Sequence, residues 1–455
     1  GEWLEYTVDV TAETYNINIR VATPNDGTQI TVKLDDVVLG TATLPNTGGW
    51  QTWQTVTIPD VALSAGAGRV LRLEFTGGSN FNRIDITPTV KKVAVMVDSE
   101  LYPEFTTDID NYVADVEANF PVNLLIYSSK NYRNMTFEQI RSELQSIWQT
   151  ENITGVIQVG FFPSLPFDMG SHGVSPQPIG YEDLDGTFTD EGAWVDNAGE
   201  WIFTPGAPDG LYDTHYWNNN GLEIWCSVIR PYQPSDTSTD YTTGVRDQLH
   251  DFFARSHAYY NNQMVIPRRG LAYVNYDWSV DGTVLEPLFN EIYGAENTVA
   301  YYGGRNSGFN YMEERSSGFE AIYLYCHSGS MTHDFDRGPW RSMPNTDLVS
   351  ENGRGSVFTS GFNCHGADYH ETSTGCVGQH YVFEGDLGQL YRGTGISFAT
   401  VRSVEFSQKM RDGQYAGQAH LEVVNDFYAD LESFSPSEPH NEVFSQMLIG
   451  NPFVN

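Results

Sequence analysis

Cysteine is scarce in this chain, basic residues are far outnumbered, and long apolar runs are missing. The four cysteines among 455 residues are Cys226, Cys326, Cys364 and Cys376. That number excludes a disulfide framework. No two of them have a CxxC spacing, which speaks against a zinc site. No apolar run approaches the length of a membrane span, so a membrane-crossing protein is not expected. The chain starts at Gly1 without a charged-then-apolar leader, so any signal peptide is expected to have been removed or to lie upstream. Lys and Arg total 24 against 59 Asp and Glu, a formal charge of −35. Such a field repels phosphate backbones and anionic membranes and excludes nucleic acid as a partner. The acidic residues are scattered, so they do not form an acidic tail. They suit a soluble protein, a saline habitat or bound divalent cations. Neither an internal repeat nor a low-complexity tract is present.

What is abundant points outward. Aromatics make up 13% of the chain, with 26 Tyr and 10 Trp, and there are 43 Gly. This composition argues against disorder. It suits an extracellular protein, secreted or at the cell surface, with strands and with faces for sugar or peptide. The length predicts two or more domains.

Residues 1–88 read as all-β. Trp3 to Val10 and Tyr15 to Val21 alternate, with Ile17, Ile19 and Val21 on one face. Turns are expected at Pro24-Asn25-Asp26-Gly27, Asp35-Asp36 and Asn46-Thr47-Gly48-Gly49. Short strands at regular spacing without helix predict a sandwich. Thr87-Pro88-Thr89 reads as a linker.

From Lys91 the pattern changes. Val93 to Val97 is continuously apolar, the mark of a strand buried on both faces. Helical periodicity around 109–120 and from Thr136 alternates with strands at 122–127 and 155–160. Residues 161–221 are expected to form a long irregular insertion. Strands are then expected at 222–229, 270–275, 298–302, 321–326, 357–363 and 395–400. Helices are expected near 244–260 and 416–431. Such alternation predicts an α/β domain over 91–455 with a mainly parallel sheet, with possible subdomains 91–265 and 266–455.

Two of these strands stop at reactive side chains. Ala321 to Cys326 runs into His327-Ser328-Gly329, and Ser356 to Asn363 runs into Cys364-His365-Gly366. A strand that ends this way places its last side chain at the carboxyl edge of a sheet, where ligands bind. A thiol and an imidazole delivered there are the minimum apparatus for acyl transfer. His365 and His333 are rival bases. His365 is disfavoured because adjacent residues of a strand face opposite ways, and His333 is expected in the following loop, lining the cleft. Cys326 and Cys376 read as structural. A Cys364–Cys376 disulfide is the inactivating alternative.

Four motifs in the first segment resemble the family 6 carbohydrate-binding modules: Gly1 to Val8, Leu34 to Gly40, Asn46 to Trp53, and Leu71 to Phe75 followed by Gly77 to Asn82. The resemblance implies a jelly-roll sandwich, here without its opening strands, and a polysaccharide or glycoprotein glycan as ligand. Trp50 would be the stacking platform, since an indole face fits the apolar face of a pyranose. Asn80 would hydrogen-bond sugar hydroxyls. Trp53 reads as a packing residue.

The second segment resembles the gingipain-type, caspase-like cysteine peptidases. The resemblance is carried by Gly155 to Gly160 with Pro163-Ser164-Leu165-Pro166, Tyr181 to Thr187, Glu223 to Pro231, and the closing Leu448-Ile449-Gly450-Asn451-Pro452. It implies that Cys364 is the nucleophile, His327 the catalytic histidine, and the substrate a protein or peptide. Backbone N–H groups of Cys364 and of Ser328 or Gly329 would form the oxyanion hole. The usual His-Gly is His327-Ser328-Gly329 here, and Asn363 stands where a small residue is common. Those departures favour a rival reading, a pseudopeptidase serving adhesion, structure or glycan binding. A second rival, a glycosidase, would need two carboxylates flanking a cleft, and no such pair is evident. The chemistry of the pair needs no cofactor. A structural calcium is expected at Asp183, Asp185 and Asp190, where carboxylates crowd a Gly loop, or near Asp209 and Asp213.

Overall fold

The computed structural model describes residues 2–11, 13–168, 173–197, 200–218, 221–233, 240–303, 308–335, 342–344, 355–369, 374–392, 402–429 and 446–454. The chain divides into two compact units, residues 1–91 with 408–414, and residues 92–407 with 415–455.

The first unit is a β-sandwich. Its strands are β1 (Glu2–Val10), β2 (Glu13–Ala22), β3 (Gln29–Leu34), β4 (Val37–Thr43), β5 (Gln54–Leu63), β6 (Gly66–Thr76) and β7 (Asn80–Pro88). They form one sheet in the order β1-β6-β3-β4 and another in the order β5-β2-β7. The alternation of Ile17, Ile19 and Val21 aims these side chains at Ile30, Val32, Leu71 and Leu73 of the other sheet, in one buried cluster. The edge strand β1 keeps Trp3, Leu4 and Tyr6 exposed.

The second unit is built on a ten-stranded sheet. Its strands are β8 (Lys91–Val97), β9 (Val122–Tyr127), β10 (Ile153–Val159), β11 (Trp225–Ile229), β12 (Gly270–Val274), β13 (Thr298–Tyr301), β14 (Phe319–Tyr325), β15 (Ser356–Phe362), β16 (Gly388–Arg392) and β17 (Gln446–Gly450). Their order is β13-β12-β14-β15-β16-β17-β11-β10-β8-β9. The register pairs are parallel on both sides of one antiparallel step, β16 against β17. The central strands are mostly apolar and buried on both faces, as in β8 from Val93 to Val97 and in β11. The strand expected at 395–400 lies outside the described residues.

Helices cover the sheet: α1 (Tyr102–Asn119), α2 (Phe137–Glu151), α3 (Thr243–Tyr260), α4 (Ser279–Tyr293), α5 (Gly308–Ser316), α6 (Val377–Glu384) and α7 (Ala416–Ala429). A capping box between Thr136 and Gln139 starts α2, which buries Phe137, Ile140, Leu144 and Ile147 at the expected spacing. α4 has Pro287 in its interior and α6 is short; both escaped the sequence reading because their helical signals are weak. Residues 161–221 are more regular than expected. They contain the strand pairs Leu165–Asp168 with Val174–Gln177, Thr187–Thr189 with Thr214–Tyr216, and Gly192–Asn197 with Glu200–Pro205. Pairs of three to six residues give too few alternations to stand out from irregular chain.

One packing arrangement ties α7 to the sheet. The Trp225 indole on β11 is wholly buried. A Cβ at Gly155 on β10 would lie 2.1 Å from it, and a Cβ at Gly417 on α7 would lie 2.8 Å from it. Both glycines leave room for one large ring.

Candidate active site

Three neighbouring strands deliver the site. Val274 of β12 pairs with Tyr325 of β14, and Tyr325 pairs with Phe362 of β15, so these residues form one row across the sheet. Hydrogen bonding continues past the row: Asn275 N–H donates to the Tyr325 carbonyl (2.7 Å), and Cys326 N–H to the Phe362 carbonyl (3.2 Å). Just beyond it come Asp277, His327 and Cys364. His327 and Cys364 each follow the row by two residues, on adjacent parallel strands, whose axes lie about 4.8 Å apart.

His327 Nε2 lies 2.8 Å from Asp277 Oδ2. Trp278 packs against the imidazole with ring centroids 4.6 Å apart, and against Phe362 at 5.4 Å. The sequence reading missed Asp277. It sits in the single 3-10 turn Tyr276–Trp278 that follows β12, with Asn275 Oδ1 accepting from Tyr276 N–H (2.7 Å). A carboxylate just past a third strand end was a usable signal, but only the sheet order makes it a neighbour of His327. Asp277 thus holds the ring through Nε2.

The four thiols differ. Cys226, Cys326 and Cys376 are buried, Cys364 is partly exposed, and no disulfide joins any of them. The Cys364–Cys376 bridge is therefore absent. Burial pushes the Cys226 and Cys326 thiols well up, and that of Cys376 to about 12. His365, directly after Cys364, has a positive φ of 54° and sets Nδ1 3.2 Å from Asp368 Oδ2. Backbone of this kind clusters at sites where a side chain must be presented. His333 does not line a cleft. It is sealed on the strand Thr332–Asp334, with Nε2 2.8 Å from the Tyr381 hydroxyl and Nδ1 3.4 Å from Cys326 Sγ. Burial drives its pKa down to about 3, so it stays neutral. Ser328 and Gly329 lie in the hairpin strand His327–Gly329, where the Ser328 hydroxyl donates to the Gly329 and Thr332 carbonyls (2.8 and 2.7 Å). Asn363 is buried beside Cys364. A cavity of about 270 Å³ adjoins Tyr325 of the central row and is lined by Asp281, Val284, Leu285, Arg402 and Glu405 among others.

Asp183 and Asp185 come together with Glu223, their oxygens within 4.8 Å of one another. Asp190 stands apart and accepts from the N–H groups of Asp209 and Gly210 (3.3 and 2.7 Å). Asp213 accepts from the N–H groups of Glu191 and Gly192. Hard oxygens of this kind suit calcium. Much of the donor set is already engaged: Asp183 binds His215 (2.5 Å) and Gly186 N–H, and Glu223 accepts from Leu184 and Asp185 N–H. The Arg141 guanidinium, bonded to the carbonyls of Gly180, Asp183 and Gly186, supplies positive charge nearby.

Burial, then repulsion from Asp183, pushes the Glu223 carboxyl up to about 7. The folded chain therefore holds a proton there that the unfolded chain releases near pH 4.5. Stability at this site is greatest at acid pH and falls as pH rises from about 4.5 to 7. Glu223→Gln is expected to remove that decline. Discounted for partial exposure, its advantage at pH 8 is about 1–2 kcal/mol, read from urea unfolding in a chelator. Parallel pH profiles of variant and parent would contradict the assignment.

In the first unit Trp50 is exposed, and Asn80 is its neighbour: Asn80 Nδ2 donates to the Trp50 carbonyl (2.7 Å). A Cβ at Gly78 would lie 3.2 Å from the Trp50 ring, so the glycine lets the indole lie close to the chain. Trp53 is half-buried.

The family model for carbohydrate binding module family 6 matches residues 1–88. Beta-agarase AgaA of Microbulbifer thermotolerans is 34% identical over 84 residues, 18% of this chain and 19% of that protein. The match thus spans about a fifth of that relative. The second unit has the fold of the gingipain cysteine proteinases. The Arg-specific cysteine proteinase gingipain R is similar over 80% of this chain and 78% of its own, at 10% identity and a TM-score of 0.54. The complex of Porphyromonas gingivalis RgpB pro- and mature domains is similar over 80% and 79%, at 11% identity and a TM-score of 0.50. The chain is thus a carbohydrate-binding-module region followed by a gingipain-like α/β domain.

Proposed function

We propose that this protein is a secreted or cell-surface cysteine endopeptidase held near glycan by its N-terminal module. The observation that carries the reading is the alignment of Asp277, His327 and Cys364 just past three neighbouring strands of one sheet. Cys364 is the nucleophile: its thiolate attacks the scissile carbonyl and forms a thioester as the peptide C–N bond breaks. His327 takes the thiol proton, gives it to the leaving amine, and then helps water to hydrolyse the thioester. Asp277 orients the ring through its hydrogen bond to Nε2. Backbone N–H groups at Cys364 and at Ser328 or Gly329 stabilise the oxyanion.

Iodoacetamide labelling resolved by mass spectrometry tests the reading. Cys364 is expected to react ahead of Cys226, Cys326 and Cys376, and peptide hydrolysis is expected to vanish with its label. A Cys364 that labels no faster than in a His327→Ala chain would leave the pseudopeptidase reading in its place.

For the module, Trp50→Ala is expected to weaken binding to a soluble polysaccharide such as agarose or laminarin about tenfold, by affinity electrophoresis. Unchanged migration would remove Trp50 from the sugar site.

A further inference from the structure

Five side chains form one continuous stack beside the turn that follows Cys364. Arg133 lies over the Tyr241 ring at 5.1 Å, and Tyr241 is stacked on Phe161 at 5.0 Å with 10° between the planes. Arg230 lies over Phe161 at 5.0 Å and over Tyr369 at 4.4 Å. The two arginines are treated differently. Arg133 is matched by both Glu100 oxygens at 2.8 Å and by Asp240 at 3.3 Å. Arg230 has no carboxylate within ion-pair distance among the described residues, and its hydrogen bond goes from Nη1 to the Phe162 carbonyl (3.0 Å). A guanidinium carries five N–H donors, and removing it from water without a counter-charge is costly. Burial does pull the Arg230 pKa down.

Arg230 is half-buried rather than sealed in the core. Asp368 N–H donates to the His365 carbonyl (3.0 Å), which keeps the ends of that turn within about 7 Å. Tyr369 is the next residue. Arg230 therefore lies on the order of 10–20 Å from the Cys364 sulfur, a span of about three to six extended residues. Its faces are taken by rings, which leaves an edge of parallel donors. That edge fits a planar carboxylate.

We propose that Arg230 is an anion-recognition point of the substrate cleft and receives the side-chain carboxylate of an Asp or Glu located about three to six residues from the bond offered to Cys364. The inference rests on the peptidase reading for the polymer that bears the carboxylate. It also gives a strongly acidic protein one place that rewards an acidic substrate.

The test uses the full chain carrying Cys364→Ala, which binds without turnover. Fluorescein-labelled octapeptides, identical except for Asp against Asn or Glu against Gln at each position in turn, are titrated by fluorescence anisotropy. The acid is expected to bind at least tenfold more tightly at one position. Arg230→Gln is expected to abolish that preference and Arg230→Lys to keep part of it. Equal binding of acid and amide at every position, binding of neither, or a preference that survives Arg230→Gln would each overturn the proposal. The matched pairs read the answer on a chain with Arg230 intact, so a variant that fails to fold does not decide it. Alkylation of Cys364 in the parent chain is scored separately. His327-dependent labelling without an acid preference sinks the subsite alone. An acid preference without labelling keeps the subsite and sinks the peptidase reading.

Discussion

Replacing His327 with alanine is expected to lower kcat/KM for peptide hydrolysis on the order of 10²–10⁴-fold while leaving the unfolding midpoint nearly unchanged. The activity loss would follow from the two duties proposed for the ring, taking the Cys364 proton and delivering it to the leaving amine. The small stability effect follows from exposure: the side chains of His327 and Asp277 are 46% and 49% accessible, so their ion pair contributes little to folding. Asp277→Asn is expected to fall between, about tenfold down, because it loosens ring orientation without removing the base. A His327→Ala chain that hydrolyses peptide at the parental rate would remove the imidazole from the chemistry.

The second large effect is on folding. Asp386→Ala is expected to destabilise the second unit by about 3–5 kcal/mol in urea unfolding. Asp386 is fully buried and saturated with donors. Its Oδ1 accepts from Arg315 Nη2 (2.9 Å) and Ser356 N–H (2.8 Å), and its Oδ2 from the Thr359 hydroxyl (2.7 Å). Two of those donors belong to β15, the strand that leads to Cys364. Removing the carboxylate leaves the Arg315 charge buried over Tyr381 with its counter-ion gone. Asp386→Asn keeps acceptor capacity but loses the charge, and is expected to cost less. A loss below about 1 kcal/mol for the alanine variant would show that the pair is dispensable.

The strand ends that present Cys364 and His327 were legible because each apolar strand stops at a reactive side chain two residues before a glycine, a pattern that needs no knowledge of neighbours. Asp277 was not, since its strand looks like any other until β12 is known to lie beside β14. The fate of His333 was equally hidden. Whether a short strand after a turn folds outward or under the sheet depends on Tyr381 and Cys326, which come from other segments. The carboxylate group at Asp183 and Asp185 was half legible. Local spacing brought up Asp190, whereas the partner that closes the group is Glu223, delivered from just before β11. The sandwich was read through the periodicity of β2, because a two-residue repeat with one dry face survives in sequence. The short hairpins between 161 and 221 lack that length.

The Trp225 arrangement carries a lesson for natural variation. Because Gly155 and Gly417 each leave less than 3 Å for a Cβ against the same indole, none of the three positions can drift alone without a clash or a void. In kindred sequences they should change as a trio, with a smaller ring or an aliphatic side chain at 225 accompanied by alanine at one glycine or both.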